Sequence, residues 1–326
     1  MKIAICGAGL VGSYTYRILS RAGYNNITLF DTAEPPSTNC GINPCAWGTS
    51  VGFKELIAYA GIEPEKYIFR EYASITINQV KVKASALVFD KPKLIADLRN
   101  GALIQRSPPV LGEFERVIDA TGSARAYLPA IAGDLKVKCT QFRAYAAEPL
   151  DFGIHISNMG YAWCFPLANN ECHVGAGSLI ISPRQMLENL GWLSKDGYRC
   201  ACAAPIRITA PFYARQFVHT IGNTAVWGVG EAIGCVAPLA GEGIIPGLKS
   251  ARLLLNHWED PAAYEKAILK EFEWMKEERK VIDKIRHGKR IGLMDARIFK
   301  STTQRLNMEV GVYQALNVLR HLTSKS

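Results

Sequence analysis

Three glycines near the start of the chain, Gly7, Gly9 and Gly12, have the spacing of a phosphate-binding turn between a strand and a helix. A short apolar run precedes them, a segment of helical periodicity follows them, and Asp31 ends the next apolar run. In such a turn Gly7 permits a tight bend, Gly9 lets the backbone approach a pyrophosphate, and Gly12 allows close helix packing. The free N–H groups at the helix start favour an anion, and Asp31 would bind a ribose. The motif predicts a dinucleotide site, but by itself it does not separate NAD from FAD.

A second glycine-rich turn lies far along the chain, after an apolar run that ends at residue 229. It reads Gly230-Glu231-Ala-Ile-Gly, and Pro-Leu-Ala-Gly241-Glu-Gly243-Ile244 follows it. These residues resemble the second flavin motif of the geranylgeranyl reductase family, in the p-hydroxybenzoate hydroxylase-like superfamily of FAD-dependent oxidoreductases. The resemblance implies FAD, with the acid on the ribityl chain and the later glycine turn facing the isoalloxazine ring and pyrophosphate. Glu231 stands where the family has Asp, so we expect altered geometry with binding retained.

An aromatic stretch carries a third resemblance. Tyr161, Trp163 and Phe165 alternate along a predicted strand, so they share one of its faces. Together with Val174-Gly-Ala-Gly177 they resemble the Y-x-W-x-F-P and V-G-x-G signature of geranylgeranyl reductases. The resemblance implies that these three rings wall an apolar substrate cavity, whereas without it an aromatic strand face would be read as core.

Two further stretches match the family in part. Cys45-Ala46-Trp-Gly48-Thr-Ser resembles the family's stretch beside the flavin ring, which makes Cys45 a candidate catalytic residue. Lys91 replaces an FAD-contacting arginine of the family and keeps its charge without the planar fork. The full set of expected cofactor-binding residues is Gly7, Gly9, Val11, Gly12, Asp31, Cys45, Ala46, Gly48, Lys91, Thr121, Gly122, Gly230, Glu231, Gly241, Gly243 and Ile244.

The order of periodic segments predicts an α/β fold. We expect a Rossmann-like FAD-binding domain, an interleaved substrate domain built on an antiparallel β-sheet, and C-terminal helices. The boundaries we predict are 1–50, 90–135 and 215–255 for the FAD-binding domain, 51–89 and 136–214 for the substrate domain, and 256–326 for the helices.

Composition narrows the location and partners. The chain carries a formal net charge of +9, and residues 249–326 hold 16 Lys and Arg against 10 Asp and Glu. Either a solvated helical face or attraction to anionic lipid or an acidic redox partner accounts for this excess. The bases are interleaved with acids, so we expect no nucleic-acid binding. Without a signal-peptide pattern or an apolar run of membrane-spanning length, we expect a cytoplasmic protein with possible peripheral membrane contact. No metal site is expected, because the nine cysteines are irregularly spaced.

Three activities fit these residues. The first is reduction of carbon–carbon double bonds in a polyprenyl (geranylgeranyl-type) or other apolar substrate by hydride transfer from reduced flavin. The second is thiol–disulfide chemistry, because Cys40 and Cys45 have the C-x-x-x-x-C spacing of a redox pair. The third is flavin-dependent monooxygenation on the same fold. The electron donor stays open between NAD(P)H and ferredoxin.

Overall fold

The computed structural model describes residues 1–32, 46–145, 151–157, 159–168, 170–193, 198 and 200–323. Their strands, in chain order, are β1 (Ile3–Cys6), β2 (Ile27–Phe30), β3 (Gly48–Ser50), β4 (Ile68–Ile77), β5 (Val80–Phe89), β6 (Leu103–Gln105), β7 (Arg116–Asp119), β8 (Lys136–Tyr145), β9 (Gly153–Ser157), β10 (Gly160–Pro166), β11 (Glu171–Ser178), β12 (Cys200–Arg207), β13 (Val218–Ile221) and β14 (Thr224–Gly228). Their α-helices are α1 (Leu10–Arg21), α2 (Gly52–Tyr59), α3 (Lys91–Leu98), α4 (Pro183–Asn189), α5 (Ile244–Asn256), α6 (Pro261–Glu271), α7 (Glu273–Arg286), α8 (Leu293–Arg305) and α9 (Val312–Thr323).

Six strands form a sheet in the order β13–β14–β7–β1–β2–β6. All neighbours in it are parallel except the pair β13–β14. Every residue of β1 and β7 is buried, which explains why these strands read as short continuous apolar runs rather than as alternating patterns. Because parallel strands end at the same edge of a sheet, the turns after β1, β7 and β14 lie together there.

Eight strands form a second sheet in the order β12–β8–β11–β10–β9–β4–β5–β3. It is antiparallel apart from the pair β4–β9. The turn before β10 and the turn before β11 each contain a residue with positive φ, Met159 in the first and Asn170 in the second. Asn tolerates this conformation more readily than Met does.

The helices fill four places around the sheets, and one of them is taken by α4, which packs on the eight-stranded sheet through Met186 and Leu187. Helices α1, α2, α3 and α5 pack together around buried residues such as Tyr14, Phe53 and Leu248. Helix α6 closes the core of the six-stranded sheet through Tyr264 and Ile268. Helices α7, α8 and α9 cover one face of the eight-stranded sheet through a cluster that is completed by Val281, Phe299 and Leu319. Helices α7, α8 and α9 therefore form a layer over one face of the larger sheet.

Some element boundaries differ from the sequence-based expectation. Tyr264, Ile268, Met275 and Ile285 lie on one apolar stripe of the sequence, yet the chain ends α6 at Glu271 and restarts as α7 at Glu273. Strands β12 and β13 were missed because β12 is mainly Ala and Cys and β13 has only four residues. Periodicity needs larger apolar side chains and longer runs to be read.

None of the helices in the described part of the chain combines the length and the apolar character that a bilayer-spanning helix requires.

Candidate functional site

The first glycine turn is built around contacts that leave no space for side chains. A Cβ on Gly7, whose φ is +98°, would lie 2.4 Å from the Ala120 carbonyl oxygen, and one on Gly12 would lie 1.9 Å from the Gly7 carbonyl oxygen. Gly9 differs, because it is exposed and a Cβ there would meet no atom of the described residues within 4 Å. Two glycines thus close the turn, while the third leaves open space in front of the backbone.

Helix α1 starts at this turn without a side-chain cap and without an acidic residue in its first turn. Its first N–H groups are therefore available to an anion, which the helix dipole also favours. Asp31 follows β2 at the same sheet edge, and its carboxylate lies 3.9 Å from the Arg106 guanidinium. The site thus has a helix start that suits an anion and, beside it, the carboxylate of Asp31. The sequence did not predict that Arg106 lies near this carboxylate.

The second glycine turn meets the first through Val11. Gly230 has a φ of +64°, and a Cβ there would lie 3.1 Å from a Val11 methyl group. The other Val11 methyl would come within 2.6 Å of a Cβ on Gly247 in α5. The Gly230 N–H donates to the Ser250 hydroxyl at 2.8 Å. Helix α1 consequently lies close to the second glycine turn and to α5 because a glycine lies opposite Val11 at both contacts.

Arg207, which the sequence reading missed, connects the two sheets at this point. It is 1% exposed at the end of β12. Its guanidinium donates to the Asp134 carboxylate at 2.9 and 3.1 Å and to the backbone carbonyls of Gly122, Ser123 and Glu231. One buried fork thereby fixes the turn after β7 and the turn after β14 relative to each other. An arginine without a local motif carries no sequence signal for this role.

The turn after β7 contains the predicted residues Thr121 and Gly122. The fully buried Asp119 accepts from the N–H and hydroxyl of Thr121 and from the Tyr127 N–H. Gly122 has a φ of +63°, and a Cβ there would lie 3.5 Å from a carboxylate oxygen of Glu231. The structure therefore brings Thr121, Gly122 and Glu231 together, as the predicted site requires.

Glu231 and Lys91 bring opposite charges to this place. Burial raises the pKa of the Glu231 carboxyl, although the Arg207 N–H donates to it at 2.6 Å and cations, including Lys91, oppose the shift. Lys91 is 6% exposed, and no carboxylate of the described residues lies within ion-pair distance of it. A buried cation is costly unless negative charge compensates it, so this position suits an anionic ligand group.

The later glycine turn leads into α5, and there the chain supplies its own anion. The Glu242 carboxylate accepts from the N–H groups of Ile244 and Ile245 at 3.0 and 3.1 Å and from the Thr49 hydroxyl at 3.2 Å. Burial raises its pKa against these three donors. The resemblance implied that this turn, with Gly241, Gly243 and Ile244, faces the flavin; in the structure the Ile244 N–H donates to Glu242, and the cofactor contacts stay a prediction.

The three predicted aromatic residues share one face of β10, and a glycine lies opposite each ring. A Cβ on Gly175 would lie 2.2 Å from the Trp163 ring, and one on Gly241 would lie 1.8 Å from the Tyr161 hydroxyl oxygen. Gly48 stands in the same relation to Phe165, at 2.9 Å. The indole N–H of Trp163 donates to Gln141 at 3.1 Å. The glycines of three separate motifs are thus explained by the space that three rings occupy.

A cavity of about 200 Å³ opens between this aromatic face, the loop before α5 and the C-terminal helices. That is several times the roughly 30 Å³ that one water molecule occupies in the liquid, so a ligand segment can enter it. The predicted site residues that line it are Ala46, Gly48, Tyr161, Trp163, Phe165, Gly241, Gly243 and Ile244. Its walls are mainly apolar, with Gln141, Thr302 and Glu242 among the polar exceptions.

His173 shares the sheet face of the aromatic residues and was set aside in the sequence as an isolated histidine. It is fully buried beside Phe165 in register, and its ring contacts Trp47 edge-on at 4.5 Å. Within the part of the chain that the structure describes, neither ring nitrogen has a hydrogen-bond partner. Burial, helped by the charges of Arg143 and Lys91, lowers its pKa to about 3, so the ring is neutral at physiological pH.

Cys45 and Cys40 lie outside the described residues, so the predictions of a catalytic Cys45 and of a redox pair stay predictions. Within the described residues, no group of three or more His, Cys, Asp or Glu side chains is arranged to hold a metal ion.

The fit between Gly175 and Trp163 gives a testable prediction. Gly175→Ala places a methyl group against the indole, and overpacking of this kind costs about 1–3 kcal/mol in the free energy of unfolding. Phe at position 163 lacks the ring atoms that Gly175 faces. We therefore expect Gly175→Ala to cost at least about 1 kcal/mol less in a Trp163→Phe background, measured by urea unfolding of all four variants. An equal cost in both backgrounds would show that the glycine is needed for another reason.

Glu278 of α7 is a fully buried carboxyl that contacts the loop before α5, which borders the cavity. It accepts from the Leu239 N–H at 3.2 Å and from the Thr302 hydroxyl, and Thr302 lines the cavity. Burial raises the pKa of Glu278 from 4.5 to about 7, against these two hydrogen bonds. The folded chain therefore holds this proton more tightly than the unfolded chain does.

We expect Glu278→Gln to remove part of the pH dependence of stability. A raised pKa in the folded state stabilises fully below pH 4.5, and this stabilisation is lost as the pH rises through about 7. The difference in unfolding free energy between variant and parent should thus shift in favour of the variant across this window, by up to about 3 kcal/mol. Thermal unfolding at several pH values measures it. Glu277→Gln, an exposed neighbour, serves as control, and parallel pH profiles for parent and Glu278→Gln would contradict the assignment.

The chain is similar in sequence and in structure to several known proteins. No family model matches the chain. An uncharacterised protein of Methanocaldococcus jannaschii, MJ1182, is 25% identical over 86% of this chain and 91% of its own length. Menaquinone reductases of Mycolicibacterium smegmatis and Mycobacterium tuberculosis are 29% and 31% identical, over 29% of this chain and 25% of each reductase. The similarity to these reductases therefore concerns a quarter of their length.

Solved structures extend the likeness to the whole chain. A geranylgeranyl bacteriochlorophyll reductase-like protein of Thermoplasma acidophilum superimposes with a TM-score of 0.71 at 18% identity, covering 98% of this chain and 95% of that one. The chain has the fold of such proteins. BrvH, a flavin-dependent halogenase from Brevundimonas, superimposes with a TM-score of 0.66 at 10% identity, over 98% of this chain and 90% of the halogenase. The predicted fold class is confirmed.

Proposed function

We propose that this chain is an FAD-dependent oxidoreductase that reduces carbon–carbon double bonds of a polyprenyl-type substrate. The observation that carries the proposal is the position of the cavity. It lies between the loop of the second glycine motif and the face that presents Tyr161, Trp163 and Phe165. The substrate space and the predicted ring-binding loop thus share a wall.

The residues at the edge of the six-stranded sheet fit an extended dinucleotide. The uncapped start of α1 and the open space before Gly9 suit a pyrophosphate. Asp31 suits the adenosine ribose, and Glu231, beside Gly122, suits the ribityl hydroxyls. Lys91 supplies a buried positive charge for an anionic part of the cofactor. Reduced FAD, when bound, would supply the hydride.

The cavity contributes exclusion of water and orientation. An isolated alkene accepts a hydride poorly, so it must be held close to the donor in a dry, shaped space. Rings on one wall and the apolar side chains of α7 and α8 on the other suit an isoprenoid chain, which offers no polar groups along its length. The Thr302 hydroxyl reaches from the cavity wall to Glu278, whose raised pKa makes it the candidate source of the accompanying proton.

Anaerobic single-turnover reduction tests the proposal. Purified protein is loaded with FAD, reduced with dithionite and mixed with geranylgeranyl diphosphate or a geranylgeranyl lipid. We expect the product mass to increase by two hydrogens for each double bond reduced, and Trp163→Ala to slow this step while FAD stays bound.

Two results would reject this activity. One is an unchanged mass for every polyprenyl substrate offered. The other is oxygen consumption coupled to NADPH together with an oxygenated product, which would assign the chain to the monooxygenases. A long-wavelength absorption band on two-electron reduction that disappears in Cys45→Ser would instead favour thiol chemistry.

A further inference from the structure

The connection between α7 and α8 forms an exposed, positively charged corner, defined here as residues 284–300 and called the basic corner. It contains six Lys and Arg and one acid, Asp295. Asp295 is 3% exposed and accepts from the Lys284 ammonium at 2.5 Å and from the Gly292 N–H at 2.9 Å. Asp295 thus compensates Lys284, and Arg286 pairs with Asp283 just outside the corner, which leaves an excess of positive charge on the corner.

Most of these cations have no partner that would explain them. Among the described residues, no carboxylate lies within ion-pair distance of Lys289, Arg290, Arg297 or Lys300. Lys289, Arg290, Arg297 and Lys300 lie within twelve residues of one another, so their charges repel in the chain alone and suit an anionic partner.

Two neighbouring apolar side chains project from the middle of this charge. Leu293 and Met294, in the first turn of α8, are 54% and 64% exposed. Single exposed apolar residues are common on protein surfaces, but here an adjacent pair lies between Arg290 and Arg297, and interfacial segments combine exposed apolar side chains with Lys and Arg in this way. Apolar tips enter the acyl boundary of a bilayer while the surrounding Lys and Arg reach the headgroups. An acidic protein partner would use the same charge, and the vesicle experiment below distinguishes it from a bilayer.

The helices that meet at the basic corner also wall the cavity. Ile282 and Ile285 of α7 and Phe299 and Thr302 of α8 line it. A bilayer bound at the basic corner would therefore lie next to α7 and α8. An apolar substrate that leaves this bilayer would pass these two helices to reach the aromatic face of β10. We propose that the basic corner docks the protein on an anionic lipid bilayer, from which the substrate chain enters the cavity. The second half of this proposal rests on the proposed function, whereas the docking itself does not.

Vesicle sedimentation of the full-length, FAD-loaded protein tests the docking. Vesicles of phosphatidylcholine with about a third phosphatidylglycerol are compared with pure phosphatidylcholine, at low and at high salt. We expect binding to the anionic vesicles that weakens with salt. Leu293→Ser with Met294→Ser should lower the association constant at least about tenfold. Lys289→Gln with Arg290→Gln should lower it about fivefold for each charge removed.

The matched control is Leu103→Ser with Val110→Ser, which changes two equally exposed apolar residues at a distant edge. This control should bind as the parent does, and thermal unfolding verifies that all variants are folded. Equal binding by the corner and control variants, or no preference for anionic vesicles, would overturn the proposal. So would salt-sensitive binding to an acidic ferredoxin without vesicle binding.

Reduction of water-soluble geranylgeranyl diphosphate separates the two proposals. The corner variants should reduce it at the parental rate, because this substrate does not have to leave a bilayer. If neither parent nor variants reduce it while the anionic vesicles still bind, the activity fails and the docking stands. If reduction proceeds and no vesicle binds, the reverse holds.

Discussion

Arg207→Met should destabilise the protein and empty its cofactor site at the same time. The substitution keeps the apolar stem and removes the fork that serves Asp134 and the carbonyls of Gly122, Ser123 and Glu231. Removing one partner of a buried ion pair costs about 3–5 kcal/mol, because the other partner is left without compensation. The turns that flank the predicted cofactor then lose their mutual position. Urea unfolding and the flavin absorbance of the purified protein measure the two effects.

Arg184→Met is the matched control, since this arginine forms an exposed i,i+4 pair with Glu188. Exposed pairs contribute less than about 1 kcal/mol, so this variant should retain both stability and flavin. Arg207→Lys adds a finer test, because a lysine keeps the charge but cannot serve five acceptors. If Arg207→Met unfolds no more easily than Arg184→Met, the proposed junction between the turns is wrong.

Gly9→Ala and Gly12→Ala should separate cofactor binding from folding. A methyl group at Gly9 meets no atom within 4 Å, and the φ of −70° and ψ of −169° are open to alanine. The unfolding free energy without FAD should therefore change by less than about 1 kcal/mol. The same methyl group would occupy the space before the backbone, and overpacking of about 1–3 kcal/mol corresponds to about 5- to 150-fold weaker FAD binding.

Gly12→Ala should behave differently, because its Cβ would lie 1.9 Å from the Gly7 carbonyl oxygen. The turn cannot close, so both stability and flavin retention should be lost. Titration of apo protein with FAD, followed by flavin fluorescence, measures binding, and thermal melting of the apo protein measures stability. Unchanged FAD affinity in Gly9→Ala would place the pyrophosphate elsewhere.

Local motifs were sufficient to predict the turns and the aromatic face. The glycine spacing at Gly7 to Gly12 works through backbone conformation and through contacts within one strand–turn–helix unit, so it is written in consecutive residues. The alternation of Tyr161, Trp163 and Phe165 fixes a shared face for the same reason, because a strand repeats every two residues. Helix boundaries were less predictable, as the break between α6 and α7 demonstrates. An apolar stripe continues through a short interruption that only the backbone reveals.

The sequence by itself determined which short segments could bend around phosphate and which side chains share a strand face. Only the tertiary structure decided which of these segments meet. Arg207 reaches its acceptors across more than twenty residues of chain or more than seventy, and Glu278 finds Leu239 and Thr302 on two different elements. Such contacts form only when the two sheets and the layer of helices α7, α8 and α9 pack together. A buried charge has no periodicity of its own, and its role depends on partners that are distant along the chain.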